Sequence, residues 1–295
     1  MGRPRVPADS KGTLYLVAMP LGNVRDVTYR AVDVLSSVEL IAAEDTRDVA
    51  PLFAAYGITA RTVSYHDHNE RSRSLVLLEA LIAGKDVALI ADAGTPLIND
   101  PGYRLVRAAI DAGISVTSVP GPCAAVTALA ASGLPADRFL YAGYPPRTSA
   151  KRRAFFRELA QERATLVLYE APHRLVESLR DALEVLGDRD ACIARSLTKP
   201  HEQYQRGVIS AIIGQLEREG DVRGEVTAVI AGRVRNTGPE ADRADARTAV
   251  VALLADGIAT RSIVHVLQRI FKMRRRDAYA LLLDAQRCVT AGEEP

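Results

Sequence analysis

Tryptophan is absent from this chain, and cysteine is scarce: Cys123, Cys192 and Cys288 are the only three in 295 residues, widely spaced and without a CxxC pair. An odd number at such spacing argues against a disulfide framework or a zinc site and fits a reducing compartment. No apolar run approaches the ~18 residues that a membrane-spanning helix needs. Residues 1–11 carry Arg3, Arg5 and Lys11 but no apolar stretch, so they read as a ragged tail, not as a signal peptide. A cytoplasmic protein is expected. Neither sign of charge dominates, with 38 Lys and Arg against 36 Asp and Glu, so any surface for a polyanion must be local. Two phosphate-cradling motifs are missing as well. Without GxGxxG after the first apolar run, a nicotinamide oxidoreductase of the usual dinucleotide-binding type is disfavoured, and without GxxxxGK[ST] so is a P-loop phosphotransferase.

The length suits two domains with room for a small third. In the first half, short apolar runs at 13–19, 39–43, 62–65, 87–91 and 115–119 alternate with helical patterns, for example Leu52, Phe53 and Tyr56 before the stop at Gly57. That alternation implies βαβ units and a mainly parallel sheet. Beyond Leu134-Pro135 the chain changes character: a strand around 139–141, a helix carrying Lys151, Arg152, Arg153 and Arg157, and strands at 165–169, 191–197 and 225–230. The polar segment 236–246 reads as a linker, and only helical patterns follow it. The expected fold class is therefore α/β: two α/β domains, 12–133 and 134–235, plus a small helical module over 246–290.

Three Pro/Gly turns fall at strand ends, at 20–23, 94–102 and 120–122. Glycine lets a ligand lie against the backbone and proline stiffens the loop around it. In an α/β sheet the carboxyl ends of the strands are where ligands bind. Residues 92–102, DAGTPLINDPG, form the longest of these turns. Asp100-Pro101-Gly102 is predicted to open a helix, with Asp100 as its N-cap and Pro101 at its first position. Each turn alone is equally a structural loop; together they predict a rigid, uncharged slot suited to an adenosine-bearing cofactor.

Pro20-Leu21-Gly22-Asn23, Ala42-Ala43-Glu44-Asp45-Thr46-Arg47, His66-Asp67-His68-Asn69-Glu70, the 92–102 turn, Pro120-Gly121-Pro122-Cys123-Ala124-Ala125, Tyr169-Glu170-Ala171-Pro172-His173-Arg174 and Leu197-Thr198-Lys199 occur in that order. In these motifs the chain resembles the ribosomal small-subunit RNA cytidine 2′-O-methyltransferases, a branch of the tetrapyrrole methylase superfamily. The resemblance covers about residues 12–232 and, more loosely, the C-terminal helices. It implies two tetrapyrrole-methylase-type domains with S-adenosylmethionine in the cleft between them, usually in a homodimer. The substrate would be small-subunit ribosomal RNA, free or in the assembled subunit. Carried over by position, the cofactor site comprises Pro20, Leu21 and Gly22, then Asp92, Gly94, Thr95 and Pro96, then Pro120, Gly121, Pro122, Cys123 and Ala124, with Tyr169 and Ala228 closing it from the second domain. Met19 stands where the family usually has Thr, and Ser196 where it usually has Glu.

Methyl transfer to a ribose hydroxyl rests on positioning and on a base that takes the proton. Glu44, Asp45, His66, His68 and Glu170 are the candidates. Glu44 and Asp45 equally suit capping of the next helix, and the HxH spacing of the histidines lacks a third ligand, so no metal is expected. For RNA, the candidates are Arg47, Arg147, Lys151, Arg152, Arg153, Lys199, Arg274, Arg275 and Arg276, several of them in the acid-free runs 138–157 and 261–276. Arg47 equally suits pairing with Asp45, and Phe155 and Phe156 read as core on an amphipathic helix. Two alternatives share the fold: a tetrapyrrole methyltransferase, which needs a cleft for an acidic substrate, and a non-catalytic ribosome-binding relative.

Overall fold

The structure is a computed structural model describing residues 11–233, 239–271 and 273–291, with the side chains of 239–245 and 287–291 left aside. The chain forms two compact units, one up to Arg233 and one from Val234.

The first unit begins with β1 (Thr13–Val17), α1 (Tyr29–Ser37), β2 (Leu40–Ala43), α2 (Ala50–Tyr56), β3 (Arg61–Ser64), α3 (Glu70–Ile82), β4 (Val87–Ile90), α4 (Tyr103–Asp111) and β5 (Ser115–Val119). These strands make a parallel sheet in the order β3-β2-β4-β1-β5. Alternation along β4 sends Ala88 and Ile90 into a core with Leu35 of α1 and Leu52 of α2, and Val87 and Leu89 into a core with Leu81 of α3 and Leu105 of α4. Both faces are covered, which is why β4 is a continuous apolar run rather than an alternating one. Gly57 stops α2 in a left-handed conformation, φ 65°.

A second sheet follows α5 (Ala124–Ser132). Its elements are β6 (Phe139–Gly143), α6 (Ser149–Leu159), β7 (Thr165–Glu170), α7 (Leu175–Leu186), β8 (Asp190–Arg195), β9 (Gln203–Val208), α8 (Ile209–Glu219) and β10 (Val226–Ile230). The order is β6-β7-β10-β8-β9, with β6 and β7 parallel and the other neighbours antiparallel. Helices α6, α7 and α8 pack on one face through Phe156, Leu179 and Ile212. Helix α5 covers the other, its Ala125, Ala128 and Leu129 meeting Val167, Cys192, Ala194 and Val229. Although α5 follows the first sheet in the chain, it is thus part of the second sheet's packing.

The second unit holds α9 (Pro239–Ala255), α10 (Thr260–Arg269) and α11 (Arg275–Ala291), closed around Val250, Ile263, Leu267 and Leu282. The linker expected at 236–246 is largely helix instead: α9 starts at Pro239, whose fixed φ suits a first helical position, and residues 234–238 lie outside the described residues. No helix among the described residues is long and apolar enough to cross a membrane.

Candidate active site

The adjacency of β1 with β4 and β5 brings together three loops that are far apart in sequence. Met19 and Gly94 exchange backbone hydrogen bonds (2.8 and 3.0 Å), a two-residue bridge joining the ends of β1 and β4. The Thr95 hydroxyl donates to the Pro122 carbonyl (3.0 Å), tying the β4 loop to the loop after β5. Tyr169 of β7 reaches over from the second sheet, its hydroxyl accepting from the Ala125 N–H at the start of α5 (3.2 Å).

Between these loops and the second sheet lies a cavity of about 320 Å³. That is the lower end of the range for small-molecule sites. Leu21, Gly94, Thr95 and Ile98 line it from the loops of the first sheet, Ala124 from the start of α5, and Tyr144, Tyr169, Leu197, Val226 and Thr227 from the second sheet and its loops. Its charged lining is Glu44, Asp92, Asp100 and Glu225, with no lysine or arginine among the described lining residues. Burial, followed by the charges of Asp92 and Asp67, raises the Glu44 carboxyl. Burial raises Asp92 too, against the hydrogen bond its Oδ1 accepts from the Asp45 N–H (2.8 Å). Asp100 is pushed up to about 7 by burial and then by Glu44, Asp92 and Asp67. Lys199 pairs with Glu225 from outside the lining, and the remaining cluster of Glu44, Asp92 and Asp100, with no ion pair among the described residues, favours a positively charged guest.

Of the residues singled out from the sequence, Leu21, Glu44, Asp92, Gly94, Thr95, Ala124 and Tyr169 line this cavity. Pro20, Gly22, Pro96, Pro120, Gly121, Pro122 and Cys123 belong to the same loops but form their frame rather than the lining. A Cβ on Gly121 would sit 2.9 Å from the Ala18 Cβ, so that loop must stay narrow. Ala228 is buried in the core under α6–α8, and its neighbour Thr227 lines the cavity in its place.

The remaining candidates depart from expectation in ways the side chains explain. Asp45 is taken by Arg47 (Nη2–Oδ2 2.5 Å), whose guanidinium and backbone hydrogen bonds hold the Asp45 carboxyl down at about 2; neither residue lines the cavity. Neither Glu44 nor Asp45 caps α2, because Val49 occupies the cap position. Glu170 is buried at 3% exposure beside Tyr169 on its strand, does not line the cavity, and accepts from the Arg174 Nε (2.8 Å). Arg174 also donates to the Pro145 carbonyl (3.2 Å), so this pair supports the segment next to Tyr144. His66 and His68 stack edge to face at 5.8 Å away from the lining, and no metal-holding cluster occurs among the described residues. Arg152 is 2% exposed and ion-paired with Asp181 (2.7 Å), so it is not an RNA contact. Arg153 leans on Asp181 and Glu184, and Lys199 on Glu225. Arg47, Arg147, Lys151, Arg274, Arg275 and Arg276 are exposed, Arg275 lying 5.8 Å over the Tyr279 ring.

The sequence reading missed Asp100 as a lining group. Asp100 is not an N-cap: α4 begins at Tyr103, after Gly102 at φ 142°, a conformation that L side chains rarely adopt. The Gly102 N–H is taken by Glu70 Oε1 (3.0 Å), which leaves Asp100 in the loop facing the cavity. Tyr144 and Glu225 carried no signal beyond their neighbourhood to a Pro-Pro turn and a strand start.

Residues 13–213 match the profile of the Tetrapyrrole (Corrin/Porphyrin) Methylases. A relative from Micromonospora olivasterospora named ribosomal RNA small subunit methyltransferase I is 48% identical over 91% of this chain and 85% of its own. One of the same name from Escherichia coli O157:H7 is 41% identical over 94% and 97%. The crystal structure of uroporphyrin-III-C-methyltransferase from Thermus thermophilus superposes with a TM-score of 0.54 at 25% identity, covering 74% of this chain and 94% of that one. The chain belongs to the tetrapyrrole methylase family, alongside relatives named ribosomal RNA small subunit methyltransferase I.

Proposed function

We propose that this protein is an S-adenosylmethionine-dependent methyltransferase acting on small-subunit ribosomal RNA, that the acceptor is a cytidine ribose 2′-hydroxyl, and that it works in the cytoplasm as a homodimer. The observation that carries the reading is the lining of the cavity: carboxylates, apolar walls and exposed backbone, with no lysine or arginine among its described residues. This donor set fits S-adenosylmethionine, which supplies a methyl group on a positively charged sulfur. It is a poor place for an acidic tetrapyrrole, whose carboxylates would meet like charges. An open slot of adenosine size also favours an enzyme over a non-catalytic relative.

Leu21, Ile98, Ala124 and Leu197 would sandwich the flat, apolar part of the donor, and the backbone of Ala93 and the Thr95 N–H, on either side of the Met19–Gly94 bridge, would offer hydrogen-bonding groups. Glu44 and Asp92 would face its cationic end. The residues' task is then to hold donor and hydroxyl in line, which is where most of the rate of such a transfer arises. The exposed Arg47, Arg147 and Lys151, and Arg274–276 in the helical unit, supply phosphate contacts by charge alone.

The test is incubation with methyl-labelled donor and, in parallel, small ribosomal subunits, naked ribosomal RNA and a porphyrinogen, followed by nuclease digestion and mass spectrometry. Label in 2′-O-methylcytidine is expected. Label in the porphyrinogen with none in RNA would overturn the proposal. Sedimentation of the full chain checks the dimer.

A further inference from the structure

We propose that Tyr144 is the platform on which the base of the methylated RNA nucleotide stacks, with Arg147 beside it holding a phosphate. This assignment rests on the proposed RNA substrate.

Strand β6 carries a defect that places the ring. Its pairing with β7 is regular as far as Tyr141, opposite Val167, and then shifts so that Gly143 lies opposite Leu168 and Ala142 has no partner. This is a bulge of one extra residue, followed by Gly143 at a left-handed φ of 68°. A bulge re-aims the side chains beyond it, and bulges gather next to active sites. In a regular strand, residues two apart share a face. Tyr144 would then follow Ala142 into the core under α6–α8. Instead its ring meets Tyr169 edge to face at 5.6 Å, and Tyr141 meets the same ring at 5.0 Å. The bulge has moved a large aromatic side chain out of a core and into the cavity wall, where it stays 50% exposed. A ring so placed forgoes the burial that aromatic side chains usually contribute.

The surroundings keep it there. Tyr169 backs the ring and is itself tied to the Ala125 N–H (3.2 Å). Pro145 is buried, and its carbonyl accepts from the Arg174 Nη2 (3.2 Å), a guanidinium that Glu170 holds from its Nε side (2.8 Å). Pro145 and Pro146 stiffen the next two positions. Arg147 then stands exposed, with no ion pair among the described residues.

Size and charge select the guest. A cavity of about 320 Å³ holds one small molecule, and the donor fills it. An RNA strand cannot follow the donor inside, so the acceptor ribose must be offered at the mouth, with its base against the half-exposed ring. Unpaired RNA bases are recognised by stacking on aromatic side chains. Glu44, Asp92 and Asp100 repel phosphate from the slot, whereas Arg147, three residues beyond the ring, is a cation free to meet it. A ring and a cation side by side match a nucleotide. They do not match S-adenosylmethionine, which carries no phosphate.

The chain has no tryptophan, so Y144W places a single indole at the site. Its fluorescence lifetime is read with S-adenosylmethionine alone and then with naked small-subunit ribosomal RNA, whose binding is followed by filter retention. In parallel, Y144L, Y144F and the wild-type chain are compared in label transfer to small ribosomal subunits, in donor affinity by calorimetry and in RNA affinity across salt. Bound RNA should shorten the Y144W lifetime, and the donor alone should not. Y144L should raise KM for the subunits and lose about tenfold to a hundredfold in kcat/KM, with donor affinity kept within about threefold. Its slope of log RNA affinity against log salt should stay at the wild-type value, because stacking displaces no counterion. Y144F keeps the ring and should recover most of the rate. A lifetime shortened by the donor alone, or loss of donor affinity in Y144L, gives the ring to the donor and overturns the proposal. So do an unchanged lifetime with RNA bound, a wild-type kcat/KM in Y144L, or an equal loss in Y144F. If the wild-type chain labels no RNA, the functional reading falls; if it labels RNA and Y144L does so equally, only the role of Tyr144 falls.

Discussion

Arg152 and Asp100 show how much a single partner decides at the residue scale. The Arg152 guanidinium donates from Nε to Asp181 (2.7 Å) and from Nη1 to the Arg147 carbonyl (3.2 Å), and Asp181 also accepts from the Ser149 hydroxyl (2.8 Å). Removing one member of a buried pair strands the other, which costs about 3–5 kcal/mol. Arg152→Ala is expected to lower the unfolding free energy by that order in urea titrations. Alanine at exposed Arg147 or Lys151 should leave the urea midpoint alone and instead weaken RNA binding, reducing the slope of log affinity against log salt by about one per phosphate contact. Asp100 has a folded-state carboxyl at about 7 against a usual 3.8, so the native chain holds this proton more tightly than the unfolded one. Stability associated with it is complete below about pH 4 and is lost as pH rises through 7. D100N should therefore melt above the wild type at pH 8, a difference that closes by about pH 4 in calorimetric scans. None of this was readable from a run of basic residues: helix spacing does not reveal that Arg152 meets an aspartate on α7 while Lys151 meets none.

At the scale of elements, the first sheet was the legible part, because buried parallel strands leave continuous apolar runs such as 87–91 and their helices end at glycines such as Gly57. The three turns of the slot were legible for the same local reason, since Pro and Gly mark them. Two features were not. Strand β9, QYQRGV, is a partly exposed edge strand whose polar composition gives no alternation to read. The start of α4 was misplaced because Asp-Pro-Gly has the chemistry of a helix opening, and only the distant Glu70 shows that the Gly102 N–H is already committed. Thr95→Val removes the hydroxyl that joins the β4 loop to the Pro122 carbonyl while keeping the shape. A lost hydrogen bond of ordinary strength, about 1 kcal/mol, should weaken donor affinity roughly fivefold to tenfold by calorimetry.

On the scale of the whole molecule, the helical unit has its own core, and the charges of Arg274, Arg275 and Arg276 lie exposed at the start of α11. A chain ending at Arg233 is expected to bind the donor as the full chain does and to bind ribosomal RNA more weakly and with a shallower salt dependence, checked by calorimetry and filter binding. Helix α5 has a different part. It leaves the slot at Ala124, packs on the second sheet, and takes the Tyr169 hydroxyl at its first turn. A guest seated against Thr95 and Ala124 should thus damp the breathing of β7 and β10, whose Tyr169, Val226 and Thr227 line the same cavity. Backbone deuterium uptake in β7 and β10 should slow together with that in β4 once the donor is added, and Tyr169→Phe should uncouple the two sheets' kinetics.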